Sequence, residues 1–472
     1  MSESEQIAGP AAPEHESHPA MDAEDRLRPE FVDKVLDAVE AGDDATARAL
    51  VEPLHPADVA DLIELAARDE REGLVKALAE IVDADVLTEM NEHVREALID
   101  ALEPEQVADL AGQMETDDAV AIIEDLEEDE QRAVLSAMEP DDRAAIEEAL
   151  TYPEESAGRL MQRDLIAVPE HWTVGQVIDY LRSGDELADD FWEVFVVSAN
   201  HHPVGTCKLS TILRSPRSAP VAAIMMRDQT LIPVDMDQED VALRFQKYAL
   251  VSAAVIDGEG RLVGMITVDD IVHIIQAEAG EDVLRLSGAG DEGDINEPVM
   301  ESYRSRVRWL IANLGTALVA SSVISFFEGA IEQLVILAVL MPIVAGVGGN
   351  AGTQTLAVTV RALATNQLTG SNRWRAVGRE LRVALLNGGT VAIVLGLGVM
   401  LVFGNPMLGA VIATAMLANI VIAGMIGSLV PLTLDRMGVD PAVGSSIFVT
   451  MTTDSMGFLV FLGLAVGSGL VG

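Results

Sequence analysis

A single cysteine, Cys207, leaves no partner for an intrachain disulfide and no thiolate set for a metal, so it is read as a small packing residue compatible with a reducing interior. Lysine is almost as scarce. Only four of the 30 basic residues are Lys, against 77 Asp and Glu, for a formal net charge of -47. Without a basic footprint the chain has nothing to exchange for the counterions of phosphate, which excludes nucleic acid as a partner. Catalytic apparatus is missing too: no nucleophile, base and orienting group occur together, and no Gly-rich loop ends in Lys-Ser/Thr, so neither an enzyme nor an ATP-driven pump is expected. His201-His202 reads as a loop pair. The N-terminus has no basic stretch followed by an apolar run, so insertion into a membrane is expected to use internal segments.

What is present divides in two. Hydrophobic residues make up 49% of the 472, an apolar surplus that conflicts with a charge of -47 on one surface, so the two properties must be segregated. From residue 301 onward there are nine Arg, no Lys and seven Asp or Glu; residues 1–300 hold 21 basic and 70 acidic residues. Cations are the natural counter-species of such a front half. An acid-rich, Lys-poor surface also suits a halophile's cytosol of multimolar salt, where screening makes self-repulsion cheap, so acidity alone does not specify a binding site.

Residues 1–25 mix Pro, Glu, Ser and Ala without periodicity and are expected to be a disordered tail. Residues 26–150 read as an acidic domain of short amphipathic helices, with starts at Leu54-His-Pro-Ala-Asp, Leu102-Glu-Pro-Glu-Gln, Met114-Glu-Thr-Asp-Asp and Met138-Glu-Pro-Asp-Asp. Pro or Thr near the first turn and acids beside the N-terminus suit capping and the macrodipole, and their recurrence predicts a small α-solenoid. After Tyr152-Pro153 the period changes to β-branched runs between helical stretches, an α/β unit occurring twice over 151–275, as 158–214 and 219–275. The second copy closes on Arg261-Leu-Val-Gly-Met-Ile-Thr-Val-Asp-Asp-Ile-Val, which resembles the closing motif of a CBS domain. A connecting helix is expected over 276–303.

Residues 304–472 hold five apolar stretches, 309–327, 334–360, 383–403, 408–434 and 442–470, each close to the length of about 20 residues that crosses hydrocarbon. With the long soluble part inside, five spans put the C-terminus outside. Arg304, Arg306, Arg308, Arg361, Arg373, Arg375, Arg379, Arg382 and Arg436 then all fall on the inner side, and Glu328 and Glu332 on the other. The expected location is the plasma membrane, multi-pass, with a cytoplasmic N-terminus.

Two features in the spans carry chemistry. Asp454 is the one charge in span five, and an ionised carboxylate at that depth costs about 2.5–3.5 kcal/mol on insertion scales, so it should face water or a cation. A helix–helix hydrogen bond from a protonated Asp is the blander reading. The second is Ala345-Gly-Val-Gly-Gly-Asn-Ala-Gly-Thr-Gln-Thr355, with Gly348, Gly349, Asn350 and Gln354 inside span two. Its glycines can serve close packing alone; with the polar residues they predict a broken helix whose free carbonyls and amides face Asp454, Thr450, Thr452 and Thr453 across a wet passage. Magnesium suits so sparse a charge, because it keeps its waters and is held by one or two carboxylates.

The domain order, together with Gly348-Gly-Asn-Ala-Gly-Thr-Gln-Thr355, Val268-Asp-Asp270, Glu278-Ala-Gly-Glu-Asp282, Arg306-Val-Arg-Trp309, Gly438-Val-Asp-Pro-Ala442 and Asp454-Ser-Met-Gly457, resembles the MgtE magnesium channels over nearly all residues from about 30 on. The resemblance implies a homodimer in the lipid bilayer, with a pore on the two-fold axis where Asp454 binds hydrated Mg2+, accompanied by Asn350, the Thr450 carbonyl, Gly457 and, where family members often have Asn, Ser446. It also implies closure by cytosolic Mg2+ at positions matching Glu105, Asp109, Asp237, Glu239, Asp269, Asp270, Glu278, Glu281, Asp282 and Asp440. Ala249 and His273 stand where acids would be expected. Each surface acid is equally readable as a solvated carboxylate. Thr267 and Asp270 fit the closing Thr-x-x-Asp pattern that contacts ribose in CBS modules, making ATP or another adenine nucleotide a candidate ligand, although purely structural use of both copies accounts for them equally. The leading expectation is a magnesium channel or transporter gated by magnesium. The alternatives are a membrane-anchored CBS sensor of nucleotide or divalent ions that conducts nothing, and a related transporter preferring Co2+ or Mn2+.

Overall fold

The computed structural model describes residues 19–183, 187, 191–290 and 293–471, in two compact units, Met1–Val272 and His273–Gly472. In the first unit, short helices follow one another: α1 (Pro29–Glu40), α2 (Asp44–Val51), α3 (Pro56–Leu65), α4 (Arg68–Ala77), α5 (Ala84–Thr88), α6 (Glu92–Ile99), α7 (Pro104–Ala111), α8 (Thr116–Glu124), α9 (Glu128–Ala137) and α10 (Pro140–Ala149). The four start signals read from the sequence open α3, α7, α8 and α10. Pro56, Pro104 and Pro140 take the first helical position, where a missing N–H breaks no bond and the fixed φ already suits the helix. Each helix is too short to be stable alone and is held by its apolar face, with Leu62, Ile63 and Leu74 in one core and Val120, Ile123 and Ile146 in the next.

The tail expected to lack order over 1–25 departs from that reading where it is described. Residues 1–18 lie outside the described residues, but Ala20 and Met21 are buried, and Met21 bridges Leu27 across a turn closed by the Asp22 carboxylate, which accepts from the Glu24 and Arg26 amides. Both side chains join the core that α1 and its neighbours form, which gives this segment a reason to be ordered.

Two three-stranded sheets follow. The first has β1 (Ala167–Pro169), α11 (Val174–Leu181), β2 (Glu193–Val197), β3 (Pro203–Lys208) and α12 (Leu209–Arg214); the second has α13 (Val221–Ile224), β4 (Leu231–Pro233), α14 (Gln238–Tyr248), β5 (Ser252–Ile256) and β6 (Leu262–Thr267). Both pair the first strand parallel and the last antiparallel to the middle one, and both slip register at the same place, between Val196 and Val197 and between Val255 and Ile256. The repeat seen in the sequence is therefore a repeat of backbone geometry. Phe195, Val197, Ala254, Leu262 and Met265 form a core shared by the two copies.

α15 (Val268–Ser287) leaves β6 without a loop. The connecting helix expected over 276–303 thus starts earlier and stops sooner: Gly288, Gly290 and Gly293 take positive φ, and Pro298 precedes α16 (Val299–Phe326). After α17 (Glu328–Gln333) come α18 (Ile336–Ala364), α19 (Arg373–Phe403), α20 (Pro406–Arg436) and α21 (Ser445–Gly467). Among the described residues, α16 and α18–α21 are the five helices long and apolar enough to cross a membrane. Span two is not broken. α18 runs unbroken through Gly346, Gly348, Gly349 and Gly352, because backbone groups in hydrocarbon have no water to turn to and satisfy themselves inside a helix even where glycine propensity is poor. Its glycines serve close approach instead: a Cβ on Gly427 of α20 would lie 2.6 Å from the Gly352 carbonyl oxygen.

Candidate functional site

Charge is handled in three places, each built differently. In the membrane unit, Ser446, Thr450 and Asp454 recur every four residues along one face of α21. Thr450 is exposed, Ser446 and Asp454 are half-buried, and among the described residues the Asp454 carboxylate makes no hydrogen bond or ion pair. The Thr450 carbonyl accepts from the Thr453 hydroxyl at 3.1 Å, and Thr452 donates to the Phe448 carbonyl, so these two hydroxyls are spent within the helix rather than on a passage. On α18, Asn350, Thr353 and Gln354 are exposed, Gly349 is half-buried, and Gly348 is buried. Gly457 is buried as well, a turn beyond Asp454. A strip of amide and hydroxyl side chains therefore lies on the outside of the single chain at membrane depth.

The second place is in the soluble unit. Glu115 is the N-cap of α8, Asp117 lies in its first turn, and Asp270 lies in the first turn of α15; one carboxylate oxygen from each falls within 4.8 Å of the others. The macrodipoles of two helix starts draw acids to this point. Burial pushes the Glu115 carboxyl up to about 7, with Asp270 and Asp118 adding repulsion. Burial likewise raises Asp270 to about 6 and holds Asp117 well above the usual carboxylate range. Polar neighbours satisfy part of the cluster: Gln162 donates to Glu115 and, at 3.3 Å, to Asp270, while the Thr267 hydroxyl donates to Asp270 at 2.7 Å. Asp117 Oδ1 is enclosed without a partner among the described residues. Three crowded carboxyls with an orphaned oxygen fit a hard cation such as Mg2+, whose octahedral shell takes oxygens at about 2.0–2.1 Å.

The third place is the far end of α15. Arg285 bridges Glu281, one turn back, and Asp440 in the α20–α21 connection, with Nη1 2.7 Å from Asp440 Oδ2. Asp440 Oδ1 accepts from the Ala442 amide at 2.7 Å. Asp282 is raised by burial and by Asp440, against the pull of Arg285. Leu286 packs on Leu356, Val360 and Val449, at the same end of α18 and α21.

Family comparisons fit these pieces in order. Residues 54–155 match the MgtE intracellular N domain, 221–277 a CBS domain, and 341–464 the MgtE divalent cation transporter model. A protein named Magnesium transporter MgtE from Bacillus subtilis is 31% identical over 314 residues, covering 66% of this chain and 70% of its own. One of the same name from Thermus thermophilus is 34% identical over 317 residues, covering 66% and 70%. The chain belongs to the MgtE family. Among solved structures, the cytosolic domain of the Mg2+ channel MgtE in complex with ATP aligns with a TM-score of 0.48 and 26% identity, over 52% of this chain and 99% of that one. The family model is described as a divalent cation transporter, in keeping with the five apolar helices among the described residues.

Within this MgtE-family chain the residues singled out from the sequence are only partly brought together. Asp269 and Asp270 open α15, but the acids that meet Asp270 are Glu115 and Asp117, whereas Glu105 and Asp109 lie exposed on α7. Asp237 caps α14, its carboxylate accepting from the Glu239 amide, and both are exposed. Glu278, Glu281 and Asp282 lie along α15, where Glu281 and Asp282 are half-buried. Thr267 and Asp270 are hydrogen-bonded to each other, and the pocket beside Thr267 is lined by Glu115, Glu193 and Asp269 as well as Trp192 and Ser252. Sequence reading missed Glu115, Asp117, Gln162 and Arg285. Met114-Glu-Thr-Asp-Asp was legible as a helix start, and an acid at the N-cap plus two more in one turn was the signal that could have drawn attention to it.

Proposed function

We propose that the chain is a homodimeric magnesium channel of the plasma membrane, passing Mg2+ down its gradient past Asp454 and closing when cytosolic Mg2+ binds the acids of the soluble part. One observation carries the reading: a carboxylate near the middle of the apolar helix α21 that makes no hydrogen bond or ion pair among the described residues. Left to lipid it would be costly; beside an aqueous axis it meets a hydrated ion. The exposed Asn350, Gln354 and Thr450 support a second copy covering that face, since amides and hydroxyls in hydrocarbon are costly to leave bare. Gly349, half-buried on α18, keeps a side chain out of the path, while the buried Gly348 and Gly457 let the helices pack closely behind it, and Ser446 stands toward its inner end. A divalent ion crossing 100 mV releases about 4.6 kcal/mol, enough to drive entry without ATP.

Gating follows from Glu115, Asp117 and Asp270. Magnesium relieves their mutual repulsion and draws α8 to the start of α15; without it they push apart. Glu105, Asp109, Asp237 and Glu239 serve as outlying acids, and Asp269, Glu278, Glu281, Asp282 and Asp440 line the helix that leads to the membrane. The nucleotide reading is the weaker one, because the acids around Thr267 oppose a triphosphate unless cations accompany it.

Purified protein in liposomes should take up Mg2+, and Asp454→Ala should bring uptake to the level of empty liposomes while the protein stays monodisperse. Unchanged uptake in that variant would end the pore assignment. Wild-type liposomes no leakier than empty ones would favour a nonconducting sensor, and uptake of Co2+ or Mn2+ in preference to Mg2+ would revise the cargo.

A further inference from the structure

α20 is apolar over most of its length, and its hydroxyl side chains turn back on their own helix: Thr414 to Ala410, Ser428 to Gly424, Thr433 to Leu429. Asn419 does not. It is fully buried, and its amide donates across to the Val344 carbonyl of α18 at 2.9 Å, while its Oδ1 is enclosed without a partner among the described residues. The space it occupies is made by two glycines on two other helices. A Cβ on Gly348 of α18, or on Gly457 of α21, would overlap Asn419 Nδ2. Gly348 opens the segment that presents Asn350, Thr353 and Gln354, and Gly457 stands three residues, one helical turn, from Asp454. One amide side chain therefore fits both halves of the polar strip at one height in the membrane.

We infer that Asn419 is a positioning residue for ion passage: it locks α18 and α21 in register against α20, so that Asp454 and the Asn350–Gln354 segment hold the spacing that the ion meets. An apolar side chain could fill the same space, yet it would let the helices slide. A donor aimed at one backbone carbonyl permits a single register, as a buried Asn does in a coiled coil, and it does so at a cost in stability that the unpaired Oδ1 makes visible. Small-residue packing explains the two glycines but not the amide between them.

This inference rests on the Asp454 pore reading, and the experiment separates the two. Reconstituted wild type, Asn419→Ala, Asn419→Ser and Asp454→Ala are compared for Mg2+ uptake across external concentration, for discrimination of Mg2+ over Ca2+, and for melting midpoint in detergent. Asn419→Ala paired with Gly348→Ala refills the space with a methyl and serves if the single variant fails to fold. The expected result is that Ala variants fold, keep or raise the melting midpoint, and raise half-saturating Mg2+ or lower the discrimination by about tenfold, a loss of about 1.4 kcal/mol. Ser, whose hydroxyl is too short to reach Val344 and turns back on α20 as its neighbours do, should lose as much as Ala. Folded Ala variants with wild-type half-saturation and discrimination would overturn the role of Asn419, as would losses in Ala and Ser that track a fall in melting midpoint. Uptake that survives Asp454→Ala would instead overturn the pore reading.

Discussion

Asp454 and the Glu115–Asp117–Asp270 cluster hold carboxylates in opposite ways. The membrane site is one acid per chain with no partner among the described residues; the soluble site is three acids within 4.8 Å, buried enough to raise all three. A lone carboxylate attracts a hydrated divalent ion without enclosing it, so the ion can leave. A crowd of carboxylates is unfavourable empty and relieved when filled, so its occupancy changes the energy of the fold around it. On the function proposed above, the same functional group serves transit in one place and sensing in the other, and the difference lies in number and burial.

The sharpest way to break the comparison is Asp454→Asn, which keeps shape and hydrogen-bonding capacity while removing charge. Uptake should fall to the level of empty liposomes; persistence would mean the acid works neutral, as a helix–helix bond. Next in size, Asp270→Asn should raise the stability of metal-free protein by about 1–2 kcal/mol after allowance for solvent screening, and erase most of the rise in melting midpoint that Mg2+ gives wild type. Thermal unfolding with and without Mg2+ checks both.

The third effect is pH dependence. Glu115 and Asp270, raised to about 7 and about 6, bind protons more tightly folded than unfolded, so their contribution to stability is full below about pH 4 and is lost as pH rises through 6 to 7. With EDTA present, the melting midpoint should be roughly 3–5 °C higher at pH 5 than at pH 8, and Asp270→Asn should flatten that slope, separating it from general charge repulsion. Mg2+ should reverse the order, protecting best at pH 8. Last, Arg285→Gln removes a half-exposed bridge worth about 0.5–1 kcal/mol, so the internal Mg2+ that halves uptake should shift by about two- to fivefold. Flux against internal Mg2+ measures it.

The helix starts at Pro56, Pro104, Thr116 and Pro140 and the five spans were legible because capping and hydropathy are local. The duplicated α/β unit was legible because its motif recurs. The meeting of Glu115 and Asp117 with Asp270 was not, since 77 acids in one chain make any particular trio invisible until the fold selects it. Asn419 was likewise silent: a lone amide in an apolar helix gains meaning only from Gly348 and Gly457, more than 30 residues away on either side. The broken helix expected in span two does not form for a general reason: in hydrocarbon the backbone's need to stay bonded to itself outweighs poor local propensity.

That unbroken α18 has a consequence for selection. A backbone whose carbonyls through residues 346–352 are engaged within the helix cannot readily replace an ion's own water molecules, so cargo passing this stretch would travel with its aquo shell largely intact. Discrimination would then reward ions whose waters exchange slowly, and ions that trade ligands readily would gain nothing from shedding them here. The protein would be measuring the outside of a wet ion.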